Sequence, residues 1–413
     1  MLAEVGTSLR VAPLEVTDTD GRPQPESRRS QSGEPVGMAS MVRSALLMRS
    51  QREAKARPTR GATPPFFCGL APVALLAFGV VAGACGPKLA QTPHVEAEHA
   101  VATDVCSAHR RLSDGGQFLV MPDGVSVWHK VSGKPGAPVV AYLHGGPGYN
   151  AFAFEKSAGE LLERQFRVLY IDQRGCGRSG FEGSDAAYGM ARTVEDIDRV
   201  RKAVGAEHLG LIGHSFGGVI AAEYARRYPR NVSSIVMVDT TPRIERALAH
   251  QVSFVDGIAE SDFPAKAEEV HSLSRGEGST FDKLKKLYGL LGRLPLQARL
   301  HYASKATQTE MEALDEASGV MACTSPRVAS TFDKEGYLGA TAPEAEARLP
   351  VPSILVAGRS SEVIGKANIE AAALIWGAEV RWIDGAGHFV YFEKPREFAA
   401  AVTGFFAAST PAP

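Results

Sequence analysis

The chain has 413 residues, and its 45 Lys and Arg residues nearly balance 46 Asp and Glu residues, giving a formal net charge of −1. Because no basic stripe accompanies this near-zero charge, we expect no nucleic-acid partner. The sequence has no metal-ligand spacing, no phosphate-binding glycine loop before a lysine and no internal repeat, so no metal or cofactor is expected.

The beginning of the chain has the composition of a leader. Residues 1–65 are rich in Arg, Ser, Pro, Gly and Glu and hold too few apolar side chains to form a core. Residues 66–85 form an almost wholly apolar stretch that follows Arg57 and Arg60 and ends in small residues and Cys85. This order predicts an export signal of the bacterial lipoprotein kind, in which Cys85 becomes the lipidated first residue. The alternative is an uncleaved membrane anchor, since about twenty apolar residues can just span a bilayer.

Both interpretations place the rest of the chain on the periplasmic or cell-surface side of a bacterial membrane. The tether would be the lipid on Cys85 or the apolar segment 66–84 itself. An export signal belongs near an N-terminus, which favours a later true start and makes the upstream residues a gene-start artefact. The candidate starts are Met38, Met41 and Met48.

Residues 86–114 are expected to link the leader to a folded domain. This linker contains Cys106, and Cys323 lies far along the chain. In an oxidising compartment these two cysteines would form a disulfide, whereas free buried thiols are the equal alternative.

The first chemical signal is a glycine-rich corner after a buried strand. The run Val139–Leu143 is apolar and β-branched, as expected for a strand buried on both faces. The corner that follows reads His144, Gly145, Gly146, Pro147 and Gly148. Such a corner can point a backbone N–H at a substrate oxygen, and we assign that donor to Gly146. Pro147 has no N–H and fixes the loop, and His144 is expected to be a hydrogen-bonded structural residue.

A second motif follows the predicted strand Arg167–Ile171. Residues 172–179 read Asp-Gln-Arg-Gly-Cys-Gly-Arg-Ser. We expect Asp172 and Arg174 to be mutual charge partners that brace the loops around a site, rather than catalytic groups. Cys176 is expected to be a small buried residue.

The central motif is Gly-His-Ser-Phe-Gly at residues 213–217, between a predicted strand (Leu209–Ile212) and a predicted helix (Val219–Tyr228). Glycines two residues before and after a serine permit the sharp strand-to-helix turn known as the nucleophile elbow. We therefore predict Ser215 as the nucleophile and the N–H of Phe216 as the second oxyanion donor.

Two later parts of the chain are predicted to provide a general base and a helical cap. Gly-Ala-Gly-His at residues 385–388 follows a short predicted strand and places His388 on a turn as the general base. Residues 243–348 interrupt the strand pattern with helical ones at Phe281–Leu291 and Met311–Met321, which predicts a helical cap over the serine. An acidic cluster in this cap would bind a substrate ammonium group or be a solvated helix face. Its members are Glu310, Glu312, Asp315 and Glu316.

The glycine-rich corner, the second motif and the elbow together resemble the proline iminopeptidase group of α/β-hydrolases, over residues 115–408. The resemblance implies a mostly parallel central sheet with helices on both faces and an inserted helical cap. The core would comprise 115–242 and 349–409. It also implies a serine aminopeptidase that removes N-terminal residues, often proline, from small peptides. The elbow departs from the Gly-Gly-Ser-Trp-Gly common among such peptidases, because His214 and Phe216 flank the serine.

The acid of the triad is a larger departure. Family members usually carry an aspartate where this chain has Ser361, and a serine cannot stabilise an imidazolium by charge. Glu362 would serve by a one-residue shift. Asp239, at the end of the predicted strand Ser234–Val238, is the second candidate because it lies at the same edge of the sheet. The third interpretation is that the acid is absent.

The sequence therefore predicts a serine hydrolase, with aminopeptidase action on small peptides first and a carboxylesterase or lactonase second. A non-catalytic binding protein is the alternative if no acid is present. Dehalogenases and epoxide hydrolases need an aspartate at the elbow, where this chain has Ser215.

Overall fold

The structure is a computed structural model that describes residues 115–179, 187–339 and 346–409. The predictions for the leader (1–65), the signal or anchor (66–85) and the linker (86–114) lie outside these residues, as does Cys106. Within the described ranges, no helix has the length and apolar character needed to cross a bilayer.

The described residues form one eight-stranded sheet with the order β1-β2-β4-β3-β5-β6-β7-β8. The strands are β1 Gln117–Val120, β2 Ser126–Gly133, β3 Val139–Leu143, β4 Arg167–Ile171, β5 Leu209–His214, β6 Val232–Val238, β7 Ser353–Gly358 and β8 Glu379–Ile383. Strands β1 and β2 run antiparallel to their neighbours, whereas the pairs from β4 to β8 are parallel. This is the mostly parallel sheet that the sequence predicts.

The central strands are apolar throughout because both faces of the sheet are covered. Every residue of β3 is buried. Ala141 and Leu143 pack into the core on one face, and Val140 and Tyr142 into the core on the other. Burial of the Val140 and Leu143 side chains contributes about 1.5–3 kcal/mol each relative to exposure.

Helices that cover the sheet are α1 Met190–Ala203, α2 Phe216–Arg227, α10 Lys366–Trp376, α11 Val390–Glu393 and α12 Pro395–Ser409. A kinked helical segment also follows the glycine-rich corner, through Phe152–Phe154, Glu155–Gly159 and Glu160–Leu162. Helix α2 begins at Phe216, immediately after Ser215 and before the predicted Val219.

Between β6 and β7 lies a set of helices that we call the helical insertion. Its members are α3 Ile244–Gly257, α4 Ala259–Asp262, α5 Ala267–Arg275, α6 Thr280–Leu291, α7 Arg293–Leu300, α8 Lys305–Ser318 and α9 Arg327–Lys334. Short 3-10 turns lie at Pro264–Lys266 and Val320–Cys323, with another outside the insertion at Pro229–Asn231.

One helix of the insertion is displaced from the predicted Met311–Met321. Helix α8 begins at Lys305, after the Ser304 side chain accepts a hydrogen bond from the N–H of Thr307. It ends at Ser318 because Gly319 adopts a left-handed conformation with φ 62°. The spacing of apolar residues carries no information about these two capping residues, so the predicted helix ends were wrong.

The described cysteines differ in state. Cys176 is a free buried thiol, as predicted, and burial raises its pKa. Cys323 is disulfide-bonded. The predicted pairing with Cys106 falls on a residue outside the described ranges and stays a prediction.

Candidate active site

Ser215 lies on a strained turn between β5 and α2. Its backbone has φ 52° and ψ −126°, a region that non-glycine residues rarely occupy and that costs about 1–3 kcal/mol. The turn is held by hydrogen bonds from the N–H of Ser215 to the carbonyl of Val238 at 2.9 Å and from the hydroxyl of Thr240 to the carbonyl of Ser215 at 2.6 Å. The surrounding sheet thus holds the serine in a conformation that its own backbone does not favour.

Gly217 shows why the motif requires glycine. A Cβ at this position would lie 2.1 Å from the carbonyl oxygen of Leu143. Because no side chain tolerates that distance from backbone, helix α2 can start beside β3 only with glycine there. The glycine at position 217 of the elbow is therefore required sterically.

The glycine-rich corner lies against the serine. A Cβ on Gly145 would lie 2.7 Å from the Cβ of Ser215. Gly146 has φ 117° and precedes the cis-bonded Pro147, and both glycines line the same cavity as Ser215. Phe216 is the first residue of α2, where the N–H has no intrahelical acceptor. Gly146 thus lines the cavity beside Ser215, and the N–H of Phe216, the next residue, lies outside the hydrogen-bond ladder of α2.

Asp239 and His388 are brought together at the carboxyl edge of the sheet. Oδ1 of Asp239 lies 3.5 Å from Nδ1 of His388, and the two side chains are 0% and 5% exposed. Ser215 and His388 line one cavity. Asp239 also has a positive φ of 42°, so the residues that follow β5 and β6 are both strained.

Burial sets the protonation states of this pair. It lowers the pKa of His388 to about 3, so the imidazole is neutral at neutral pH and able to accept a proton. Burial raises the pKa of Asp239, although the Ser361 hydroxyl and the backbone of Gly358 favour the carboxylate. An imidazolium formed at His388 would be stabilised by this nearby carboxylate.

Glu362, the first acid candidate of the sequence, lies elsewhere. Its carboxylate accepts a hydrogen bond from Nε2 of His250 at 2.8 Å, and both side chains are about one-third exposed. The turn after β7 is closed by a bond from the N–H of Ser361 to the carbonyl of Gly358. That turn directs Ser361 toward Asp239 and Glu362 toward α3. The one-residue shift from Ser361 to Glu362 therefore does not bring a carboxylate to His388.

The predicted pair of Asp172 and Arg174 is also wrong. Asp172 accepts from Nε of Arg178 at 2.8 Å, whereas Arg174 binds Asp196 at 2.6 Å and Asp123 at 2.9 Å. Burial opposes ionisation of Asp172, but Arg178 outweighs it and holds its pKa below the usual range. Arg178, the second arginine of the motif, is the partner of Asp172, because the tight turn folds Arg178 back over the aspartate.

The other members of the glycine-rich corner are structural. Nδ1 of His144 donates to the carbonyl of Gly145 at 3.0 Å, and its Nε2 accepts from the N–H of Gln173 at 3.0 Å. Gly148 has φ 107° and approaches the side chain of Thr324. His144 thus ties the corner after β3 to the motif after β4.

A cavity of about 950 Å³ extends from Ser215 and His388 into the helical insertion. Its apolar wall includes Leu248, Leu284 and Leu294. This volume lies near the upper end of the usual range for ligand pockets.

The acidic side chains of the cavity come from α8, and Arg293 of α7 lines the same cavity. Glu312, Asp315 and Glu316 line the cavity, whereas Glu310 does not. The hydroxyl of Tyr149 donates to both carboxylate oxygens of Asp315 at 3.1 Å. Burial raises the pKa of Asp315 to about 6. Among the described residues, no cluster of His, Cys, Asp and Glu is arranged to hold a metal ion.

Two residues near His388 carried no sequence signal. His301, between α7 and α8, lies with its ring 5.5 Å from that of His388. Glu393 accepts from the N–H of Gly387 at 2.8 Å. No sequence motif marks either residue. The contact of His301 with His388 depends on how the helical insertion folds back.

A mostly parallel sheet with a strained serine, a histidine and an aspartate at its carboxyl edge defines the α/β-hydrolase class of fold. Residues 138–395 match the family described as alpha/beta hydrolase fold, and the chain belongs to that family. The predicted fold class is confirmed.

Similar proteins include hydrolases of different activities. Epoxide hydrolase A of Mycobacterium tuberculosis is 26% identical over 70% of this chain and 96% of that protein. Proline iminopeptidase of Neisseria gonorrhoeae is 34% identical over 120 residues, which are 29% of this chain and 38% of that protein.

Among solved structures, the proline iminopeptidase-related protein from Thermus thermophilus has a TM-score of 0.59 at 25% identity. The match covers 72% of this chain and 99% of that one. The resemblance to proline iminopeptidases drawn from the motifs is confirmed, and the chain is a hydrolase-fold enzyme.

Proposed function

We propose that the protein is a serine hydrolase in which Ser215 is the nucleophile, His388 the general base and Asp239 the acid. The observation that carries this proposal is the 3.5 Å approach of Asp239 to Nδ1 of His388 beside the cavity that also holds Ser215. A buried carboxylate beside Nδ1 favours the tautomer that carries the proton on Nδ1, so that Nε2 is available to accept the serine proton.

The proposed reaction has two steps. The hydroxyl oxygen of Ser215 attacks a carbonyl carbon while His388 takes the proton, and the N–H groups of Gly146 and Phe216 stabilise the oxyanion. His388 returns the proton to the leaving group, which leaves an acyl-enzyme. Water, deprotonated by the same histidine, then releases the acid and restores the serine.

Aminopeptidase action on small peptides is the substrate class that we place first. A substrate with a free N-terminus carries an ammonium group, and three carboxylates line the cavity on α8. These are Glu312, Asp315 and Glu316. Relatives and a solved structure named for proline iminopeptidase activity add support from likeness.

A carboxylesterase or lactonase is the second candidate, favoured by the size of the cavity and its apolar wall of leucines from α3, α6 and α7. An acyl chain would occupy that wall, whereas a single aminoacyl group would leave much of it empty. Epoxide hydrolysis is not proposed, although one relative is named for it, because that chemistry needs an aspartate where this chain has Ser215.

A non-catalytic binding protein is not favoured, because Asp239 supplies in our proposal the carboxylate that is missing at position 361.

From the sequence of the leader alone, we also propose that the protein is exported and tethered to a membrane through Cys85 or segment 66–84. The enzyme would then act on substrates outside the cytoplasm.

The test is a fluorophosphonate probe followed by a substrate panel. We expect covalent labelling of the full chain at Ser215, none in Ser215→Ala, and competition by substrate. Prolyl and other aminoacyl amides are compared with acyl esters and lactones of matched size. Absence of labelling in a folded protein would refute the serine hydrolase, and hydrolysis of esters alone would select the second candidate.

A further inference from the structure

The turn that carries His388 is bound to the helical insertion and not only to the sheet. Segment 300–303, which starts at the last residue of α7 and leads toward α8, runs beside the loops that follow β7 and β8. The N–H of Glu362 donates to the carbonyl of Leu300 at 3.0 Å, and the N–H of His388 donates to the carbonyl of His301 at 2.7 Å. The insertion thus contacts the backbone of the catalytic histidine itself.

One carboxylate joins these two parts. Glu393, the last residue of α11, accepts from the N–H of Gly387 through Oε1 at 2.8 Å. Its other oxygen, Oε2, accepts from the N–H of Ala303 at 2.8 Å. Hydrogen bonds to an ionised acceptor are about twice as strong as neutral ones. The Glu393 side chain therefore links Gly387, the residue before His388, to segment 300–303 of the helical insertion.

The junction is close-packed. A Cβ on Gly387 would lie 2.3 Å from the carbonyl oxygen of His301 and 2.9 Å from Oε1 of Glu393. The centroid of the His388 ring is 5.5 Å from that of His301 and 4.6 Å from that of His214. Since Nδ1 of His388 is 3.5 Å from Asp239, that contact is too long to fix the ring by itself. The position of the ring depends on where its backbone is held.

We propose that Glu393 is a positioning residue that binds the His388 turn to segment 300–303 of the helical insertion, so that the insertion sets the place of the general base. The proposal rests on the proposed function, because it matters to catalysis only if His388 is the base. A displacement of the insertion would move His388 as well as open the cavity.

Glu393→Gln tests the bridge with little change in size, because its amide presents N–H groups to one of the two backbone donors. Glu393→Ala removes both acceptors. Glu397→Gln is the matched control, because Glu397 is an exposed residue of α12. Burial raises the pKa of Glu393 to about 7, so the assays belong at about pH 8.5, where a group with that pKa is ionised.

In both Glu393 variants we expect kcat to fall by about tenfold to a hundredfold while KM changes by less than about twofold, because a misplaced catalytic group lowers the rate without altering the cavity. The control should match the wild type. Values of kcat within about twofold of the wild type in both folded variants would overturn the proposal.

Hydrogen exchange tests the bridge apart from activity. Backbone amides of residues 386–389 and 300–304 should exchange faster together in Glu393→Ala, which removes both acceptors, and remain unchanged in Glu397→Gln. Faster exchange in one segment only, or in neither, would overturn the bridge. If the wild type is not labelled at Ser215, the proposed function fails, yet this exchange result still decides the structural bridge.

If the Glu393 variants do not fold, Ala303→Pro is the deciding variant, because it removes the N–H on the insertion side and leaves Gly387 bonded to Glu393. The same fall in kcat at constant KM supports the proposal. Unchanged kcat in this variant overturns it.

Discussion

Ser361 donates its hydroxyl to Oδ1 of Asp239 at 3.1 Å, and this same oxygen is the one that lies 3.5 Å from Nδ1 of His388. The serine that stands where relatives usually carry the acid thus contacts the acid that this chain uses in our proposal. Oδ2 of Asp239 has no hydrogen-bond partner among the residues that the structure describes. Ser361 therefore supplies part of the stabilisation that a fully buried carboxylate needs.

Replacement of the acid separates the two candidates named from the sequence. Asp239→Asn should lower kcat by at least about a hundredfold, because an amide holds the wrong histidine tautomer and carries no charge. Glu362→Gln should change kcat by less than about threefold, since its partner is His250. Steady-state kinetics on the best substrate of the panel measures both, and the reverse order would reinstate Glu362.

Relocation of the acid is a sharper test of the same geometry. Asp239→Ser should be nearly inactive, and the double variant Asp239→Ser with Ser361→Asp should recover at least about tenfold of the loss, because the two side chains are within 3.1 Å. Ser361→Asp alone is the control and should be less active than the wild type, since two adjacent carboxylates oppose each other's ionisation. No recovery in the double variant would show that position 361 does not reach His388.

The pH dependence of KM tests the role of Asp315. Burial raises its pKa to about 6, so the carboxylate is charged above that pH and neutral below it. For substrates with a free amine, KM should rise as pH falls through 6, whereas KM for a neutral ester should not. Asp315→Asn should remove this dependence, and a dependence that persists in the variant would assign it to another group.

Stability should distinguish the buried ion pair from an exposed one. Asp172→Asn removes one of the two carboxylates that pair with the buried Arg178, leaving Glu155 at 3.3 Å, and should cost about 2–3 kcal/mol in the free energy of unfolding. Asp384→Asn breaks the pair with Arg359, in which the two side chains are 83% and 50% exposed, and should cost at most about 1 kcal/mol. Urea denaturation measures both, and similar losses would contradict the burial argument.

The elements best predicted from sequence are those defined by local constraints. The sequence predicts strand Val139–Leu143 at its observed ends, because an apolar, β-branched run that starts after Pro138 and ends at the glycine-rich corner has few other solutions. Helix α8 was misplaced because its caps, Ser304 and Gly319, outweigh apolar spacing. Arg174 was paired wrongly because sequence neighbours in a tight turn do not reveal which arginine folds back over Asp172.

Ser215, its elbow and the glycine-rich corner were determined by the sequence itself. Glycines are required there by short contacts with backbone, such as that between Gly217 and the carbonyl of Leu143, so the pattern is readable without the fold. Our choice of Asp239 over Glu362 as the acid and the proposed bridge through Glu393 rest on the tertiary structure alone. Asp239 and Ser361 are 122 positions apart and Glu393 and Ala303 are 90 apart. Contacts of that kind depend on strand order and on how the insertion folds back, which no local pattern records.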